Sequence, residues 1–249
     1  DAYTVQAGLI SNVKVNNVIP GGTLISGAYQ FAVQYADAQG NPLTSYYSVT
    51  NPAPIFDPFT VSPEYNTPVG KSIVIDITNL DTTGLFSYFN LAVIKTINDI
   101  PSVDRVGIYS ITGADRQLTY TGENKELVEL SMQEIFEKFP YYDIADDLTT
   151  VQDILVWKGL TVVDRINYQS IATKIKLQWE TWKLPADELY KEELNAVNYR
   201  GYLRDEIYSF EIVFLLANGR QTDGFHIPGR EMLASEVLAP DIPDTNPDF

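Results

Sequence analysis

Apolar and polar residues alternate with period two through most of the first half of the chain. In "SGAYQFAVQYADAQGNPLTSYYSV", Tyr29, Phe31, Val33 and Tyr35 fall on one side, and Ala28, Gln30, Ala32, Gln34 and Ala36 on the other. That is the mark of a half-buried strand. "DAQGN" then reads as a turn, with Gly40-Asn41 supplying the unusual dihedrals, and "SYYSVTN" as the returning strand. "KSIVIDI", with Ile73, Ile75 and Ile77 on one face, is a further strand. "FSYFNLAVIKTI" sets Phe89, Leu91 and Val93 against Tyr88, Asn90 and Ile94, and "DRVGIYSIT" and "RQLTYTG" follow. Short strands with turn signals between them predict a β-sandwich of immunoglobulin or fibronectin type III style. Without a Cys-Trp-Cys core, the fibronectin-like version is favoured. The prolines of 52–68 mark a loop or an edge segment, because proline cannot donate to a ladder.

The texture changes after Gly122. Ser131 and Glu134 form a candidate capping box opening a short helix, Met132–Phe139, which Pro140 stops. "YYDIADDLTT" reads as an acidic loop and "DILVWKGLTVVDRI" as two strands around Gly159. "ATKIKLQWETW" alternates like a strand, and "LPADELYKEELNAV" predicts a short helix near Pro185. "EIYSFEIVFLL" places Tyr208, Phe210, Ile212, Phe214 and Leu216 on one face. Asn218-Gly219 is a strong hairpin signal, and "QTDGFHI" the return strand. The expected fold is therefore mainly β, with a second β-rich region carrying one or two short helices. Its expected parts are a lead-in over 1–20, a sandwich over 21–122, the β-rich region over 123–233, and an extended acidic tail or linker over 234–249.

Charge narrows the function classes. The net charge of −16 opposes gripping nucleic acid by neutralising phosphates and docking on an anionic membrane. No apolar run approaches the roughly 20 residues of a membrane helix, so no membrane insertion is expected. The lack of cysteine removes disulfides, thiolate metal sites and cysteine nucleophiles. Asp37 and the group Asp143, Asp146 and Asp147 lack the spacing of a calcium loop, so no metal is expected. His226 is the only histidine and sits in a predicted strand without a motif around it. Asp205 and Glu206 are adjacent, so in a strand they point to opposite faces. No nucleophile motif or phosphate loop occurs. A non-enzymatic protein without a cofactor is therefore expected. Trp179 and Trp182 suit core packing better than sugar stacking.

Within 198–230, Arg200, Arg204, Arg220 and Arg230 meet Asp205, Glu206, Glu211 and Asp223, a neutral stretch in an acidic chain. Arginine makes planar bidentate contacts to carboxylates. Arg200, Arg204, Asp205, Glu206, Arg220, His226 and Arg230 are accordingly candidates for a clamp between segments or between copies, with ordinary surface pairing as the alternative.

"YRGYLRDEIYSFEIVFLLANGRQTDGFHIPGR" resembles a block of the tail nozzle, muzzle or packaged-DNA stabilisation proteins of crAss-like phages and related podoviruses of Bacteroidota. "GAYQFAVQYADAQGNPLTSYY", "LTYTG" and "ILVWKGLTVVDRINY" are similar to further pieces of them. The resemblance implies a virion protein whose partners are other copies in a ring, the portal or adaptor, and other tail proteins. Such a ring extends the DNA channel and helps retain and release the genome, with at most passive contact to translocating DNA. It also implies a longer polypeptide, in keeping with a chain that begins at Asp1. The alternative is a bacterial surface or secreted binding module, an adhesin or glycan-binding protein, which a sandwich rich in tyrosine suits equally.

Overall fold

The computed structural model describes residues 3–4, 11–46, 49–57, 67–123, 128–136, 142, 144–152, 154–161, 167–178, 192–199, 202, 206–214 and 222–230. The chain is mainly β, as expected, and its described residues group into two compact units. The larger holds the described residues up to 161 together with 192–199.

Two antiparallel sheets build the core of the larger unit. One has three strands in the order β2 (Asn12–Pro20), β5 (Lys71–Thr78), β8 (Arg116–Tyr120). The other has five, in the order β4 (Ala53–Ile55), β3 (Gly27–Ala36), β6 (Tyr88–Ile97), β7 (Ile100–Ser110), β9 (Val128–Leu130). From β2 to β7 the chain alternates between the sheets in the succession of strands B, C, C′, E, F and G of an immunoglobulin-like sandwich. β8 then joins the far edge of β5.

Period two decides what fills the space between the sheets. Tyr29, Phe31, Val33 and Tyr35 of β3 and Phe89, Leu91 and Val93 of β6 meet Ile73, Ile75 and Ile77 of β5, all essentially dry. Val13 and Val15 of β2 join them. A bulge between Val15 and Asn17 then lets Val18 turn inward as well. The expected lead-in is thus, from Asn12 onward, a strand of the sandwich.

The central pair β3–β6 is buried on both faces, not half-buried. On its second side Ala32, Ala92 and Ile94 pack with Tyr46, Val103 and Ile135. Ile135 belongs to α1 (Met132–Phe136). Residues 137–141 lie outside the described residues, so the expected extension to Phe139 does too. The capping box forms: the Ser131 N–H donates to Glu134 Oε2 at 2.6 Å, and the Glu134 N–H to Ser131 Oγ at 3.3 Å.

The strand expected over "SYYSVTN" is not a strand in its described residues, 45–46 and 49–51. Threonine hydroxyls stand in for a ladder along the edge of β3. Phe31 N–H donates to Thr50 Oγ1 at 3.0 Å and Tyr35 N–H to Thr44 Oγ1 at 3.1 Å. Hydroxyls that meet the backbone's needs locally compete with regular pairing. In the preceding turn Gly40 alone takes a left-handed φ, +81°. Asn41 is held instead by Asp37, whose carboxylate accepts the Asn41 N–H at 2.9 Å and its side-chain amide at 2.7 Å. A Cβ on Gly40 would lie 2.6 Å from Ile108 Cδ1.

A helix from the far side of the sequence completes the core. α3 (Glu193–Asn198) sets Val197 in it and Leu194 against it. Asn51 donates to the Val197 carbonyl at 3.1 Å. Lys71 pairs with Glu193 and also donates to the Phe56 carbonyl at 2.9 Å. The helix near Pro185 is thus found at its C-terminal end, while 179–191 lies outside the described residues. Because β9, α1 and α3 all cover the sandwich, that body does not stop at residue 122.

Two buried tyrosines fasten loops to this core. Tyr35 accepts the Asp81 N–H at 2.8 Å and stacks on Phe86 at 4.4 Å. The Tyr29 hydroxyl donates to the Ile25 carbonyl at 2.8 Å. Burial pushes the Tyr35 and Tyr46 hydroxyls up to about 12 and also raises those of Tyr29 and Tyr120. The neutral phenol is therefore favoured in the folded state. Its contribution is whole below the unfolded pKa of about 10 and is lost as pH rises through the folded values. In an alkaline titration these four of the sixteen tyrosines should ionise only together with loss of near-ultraviolet circular dichroism, above pH ~10. Gradual ionisation of all sixteen in an intact fold would contradict this burial.

Candidate interaction surface

Residues 144–161 form a hairpin arm on the sandwich unit. At its base Ile144 and Thr161 exchange backbone bonds of 3.2 and 2.9 Å. β10 (Ile144–Ala145) also pairs with β1 (Tyr3–Thr4). Gly159 turns left-handed at φ +65°, with the Asp146 carboxylate occupying the place a Cβ would take. Beyond it, β11 (Asp147–Val151) and β12 (Ile154–Lys158) run antiparallel from Asp147↔Lys158 to Val151↔Ile154. Gln152, at φ 50°, begins the reversal. The acidic loop expected around "YYDIADDLTT" is therefore strand over most of its described length. The Thr and Val of "LTTV" suit a pleated ribbon, a preference that the neighbouring aspartates mask.

The register fixes which side chains share a face. Thr149, Val151, Ile154 and Val156 stand on one side, and Leu148, Thr150, Leu155 and Trp157 on the other. Both sides are apolar and both are open to solvent: Ile154 is 65 % exposed, Val151 55 % and Leu155 48 %. Among the described residues β11 and β12 pair only with each other. From Leu148 to Trp157 the sequence carries a single charge, Asp153, within a chain of net −16. Exposed apolar patches of this kind mark protein contacts.

The smaller unit holds the described residues of the arginine-rich stretch from Tyr202 onward. β13 (Phe210–Ile212) pairs with β14 (Phe225–Ile227), as the hairpin expectation requires, and Tyr208, Phe210, Ile212 and Phe214 are half-buried on the expected face. Asn218-Gly219 lies outside the described residues, as do Arg200, Arg204, Asp205 and Arg220. Glu206 accepts the Tyr208 hydroxyl at 2.6 Å. Arg230 donates its Nε–H to the Leu177 carbonyl at 2.7 Å. That bond ties residue 230 to the segment after α2 (Gln169–Ala172).

His226 is exposed on β14 opposite Glu211. Its carbonyl, not its ring, is engaged, accepting from Gln169 Nε2 at 2.7 Å. Tyr168 packs on Phe214 and Phe225 at 4.9 and 5.9 Å beside this bond. "ATKIKLQWETW", expected as a strand, opens on the end of α2 and a turn, and 173–178 is in no strand. The helix wins there because Tyr168, Phe214 and Phe225 gather around its start, a tertiary contact that alternation within the segment does not report. Trp179 and Trp182 lie outside the described residues. Of the described candidates, Arg230 thus joins two segments of the chain, while Glu206 bonds a near neighbour. The arm, which sequence reading took as a loop and a strand, is the larger surface. Its signal was the run "ILVW", apolar at consecutive positions and hence on both faces.

No protein family matches the sequence, and no curated protein matches it. Among the described residues no three histidine, aspartate or glutamate side chains gather as a metal group.

His226→Ala should leave stability within about 0.5 kcal/mol of the parent, as for an ordinary surface change. Gln169→Ala should cost roughly 1 kcal/mol, the net worth of one hydrogen bond. Urea denaturation of the full chain measures both, and a larger cost at His226 would mean that its ring carries structure.

Proposed function

We propose that this chain is a non-enzymatic structural protein of a phage virion, part of the tail nozzle or connector ring that extends the DNA channel and helps retain and release the genome. The observation that supports it best is where apolar surface is left over. The sandwich covers both faces of its central strands, and a separate arm then presents apolar side chains on both of its own. An arm of that kind serves assembly, because neither face can be covered by the two-stranded ribbon itself. The resemblance of 198–230 and of the first strand-turn-strand to nozzle proteins supplies the class of assembly.

The partners under this reading are other copies, the portal or adaptor, and further tail proteins. The acidic composition suits a channel through which DNA slides without sticking, since like charges repel. Mass photometry of the purified chain should find a closed ring of fixed copy number. A stable monomer that binds glycans on an array would overturn the reading in favour of a secreted or surface binding module.

A further inference from the structure

We infer that the arm, residues 144–161, is the contact by which one copy of this chain holds the next, with both faces of the ribbon buried against a second copy. The inference rests on the ring reading and adds the surface and its occupant.

Three observations choose that occupant. The first is charge. Beyond the opposed Asp147 and Lys158, the ribbon carries only Asp153. Its net charge is negative, which a phosphate backbone or an anionic headgroup repels. The second is the rest of the molecule. At net −16, two copies repel wherever their acidic surfaces meet. The apolar run from Leu148 to Trp157, with one charge in ten residues, supplies an attraction that can outweigh that repulsion. The third is geometry. Val151, Ile154 and Val156 face one way while Leu148, Leu155 and Trp157 face the other. One flat partner surface covers only one of these sets. A neighbour that takes the ribbon into a cleft covers both, and such a head-to-tail contact repeats from copy to copy, giving the ring of the proposed function when the rotation between copies closes.

The balance of forces has a signature. Apolar attraction opposed by like-charge repulsion strengthens as salt screens the repulsion. Association with a basic partner weakens under the same change.

The test compares the full chain with Ile154→Lys, Leu155→Lys by mass photometry across protein concentration and salt. The double change moves net charge from −16 to −14, so repulsion alone would favour association in the variant. Loss of the apolar contact predicts the opposite, an apparent dissociation constant raised by roughly a hundredfold or more. The parent should also assemble more tightly in high salt. Both positions are exposed, so at concentrations where the parent is monomeric the variant's thermal melting curve should match the parent's.

A second measurement does not depend on the variant's behaviour. Because the chain has no cysteine, Thr149→Cys places one thiol on the arm. Maleimide should label it freely at concentrations where the chain is monomeric and at least tenfold more slowly in the assembly. If the charged variant forms the parent's ring, or the thiol reacts equally fast in both states, the arm is not the contact, while the ring reading stands. If the parent stays monomeric at every concentration and salt, both fall.

Discussion

Everything in the larger unit depends on one constraint: the central antiparallel pair β3–β6 is buried on both faces. A strand buried on one side can send its alternate residues to water. Here Gln34 and Asn90, directly opposite one another in the ladder, have no such exit. A buried amide without partners is costly, so the surroundings must answer for them. The Asn90 amide donates to Gln34 Oε1 at 3.2 Å and to the Gly40 carbonyl at 3.0 Å. Gln34 donates in turn to the Thr44 carbonyl at 2.7 Å. The turn at Gly40 and the irregular segment after it are therefore shaped by what the amides need. Arg105 donates to the same Gly40 carbonyl at 3.0 Å, which carries the link on to β7.

The amides also fix register. A slip of one residue in β3 would carry Gln34 into the dry space occupied by Phe31, Val33 and Tyr35, and send those large side chains to the second face, where Ala32 packs against Tyr46 and Ile135. The apolar pattern alone disfavours that slip. The amide pair adds a penalty specific to it, because an unpaired carboxamide facing Ile73 and Ile75 finds no partner. The β6–β7 turn reinforces the alignment. Asn98 and Asp99 both take left-handed φ, 53° and 63°, between the paired Ile97 and Ile100. Two such residues make the turn whose twist matches a hairpin.

What the sequence made legible follows from how local the governing contact is. The faces of β3, β5 and β6 are set by alternation within each strand, and they fall where alternation puts them. The Ser131–Glu134 box is a contact of three residues' separation and is equally readable. The burial of Ala32 and Ala92 was not readable, because Ile135 and Tyr46 cover them from elsewhere in the chain. The place of α3 was not readable either, since Val197 and Glu193 find their partners across more than a hundred residues. At the surface the signals misled in opposite ways. His226 drew notice as the one imidazole, yet only its backbone is engaged. "DDLTT" read as solvated loop because of its aspartates, while its apolar and β-branched residues belong to a strand whose partner, "ILVWK", lies just beyond the turn.

The arm and the core are linked by a shortage of cover. The larger unit spends β9, α1, α3 and the Thr44–Tyr46 segment on a central sheet that has two faces to hide. Among the described residues no comparable element lies over β11 and β12. A two-stranded ribbon gains too little from its own cross-strand contacts to be an independent unit, and mixed apolar chemistry on both sides removes the usual remedy of turning one face to water. Under the ring reading, the arm's order and the assembly's stability have the same source. A copy in the ring has its ribbon held on both sides, while within one copy the described backbone pairing anchors the arm at its base, at Ile144, Ala145 and Thr161. Folding of the arm and closure of the ring then become one cooperative step. Under that reading the free, strongly acidic chain stays apart from other copies by charge, and its arm is held on both sides only once its neighbours are in place.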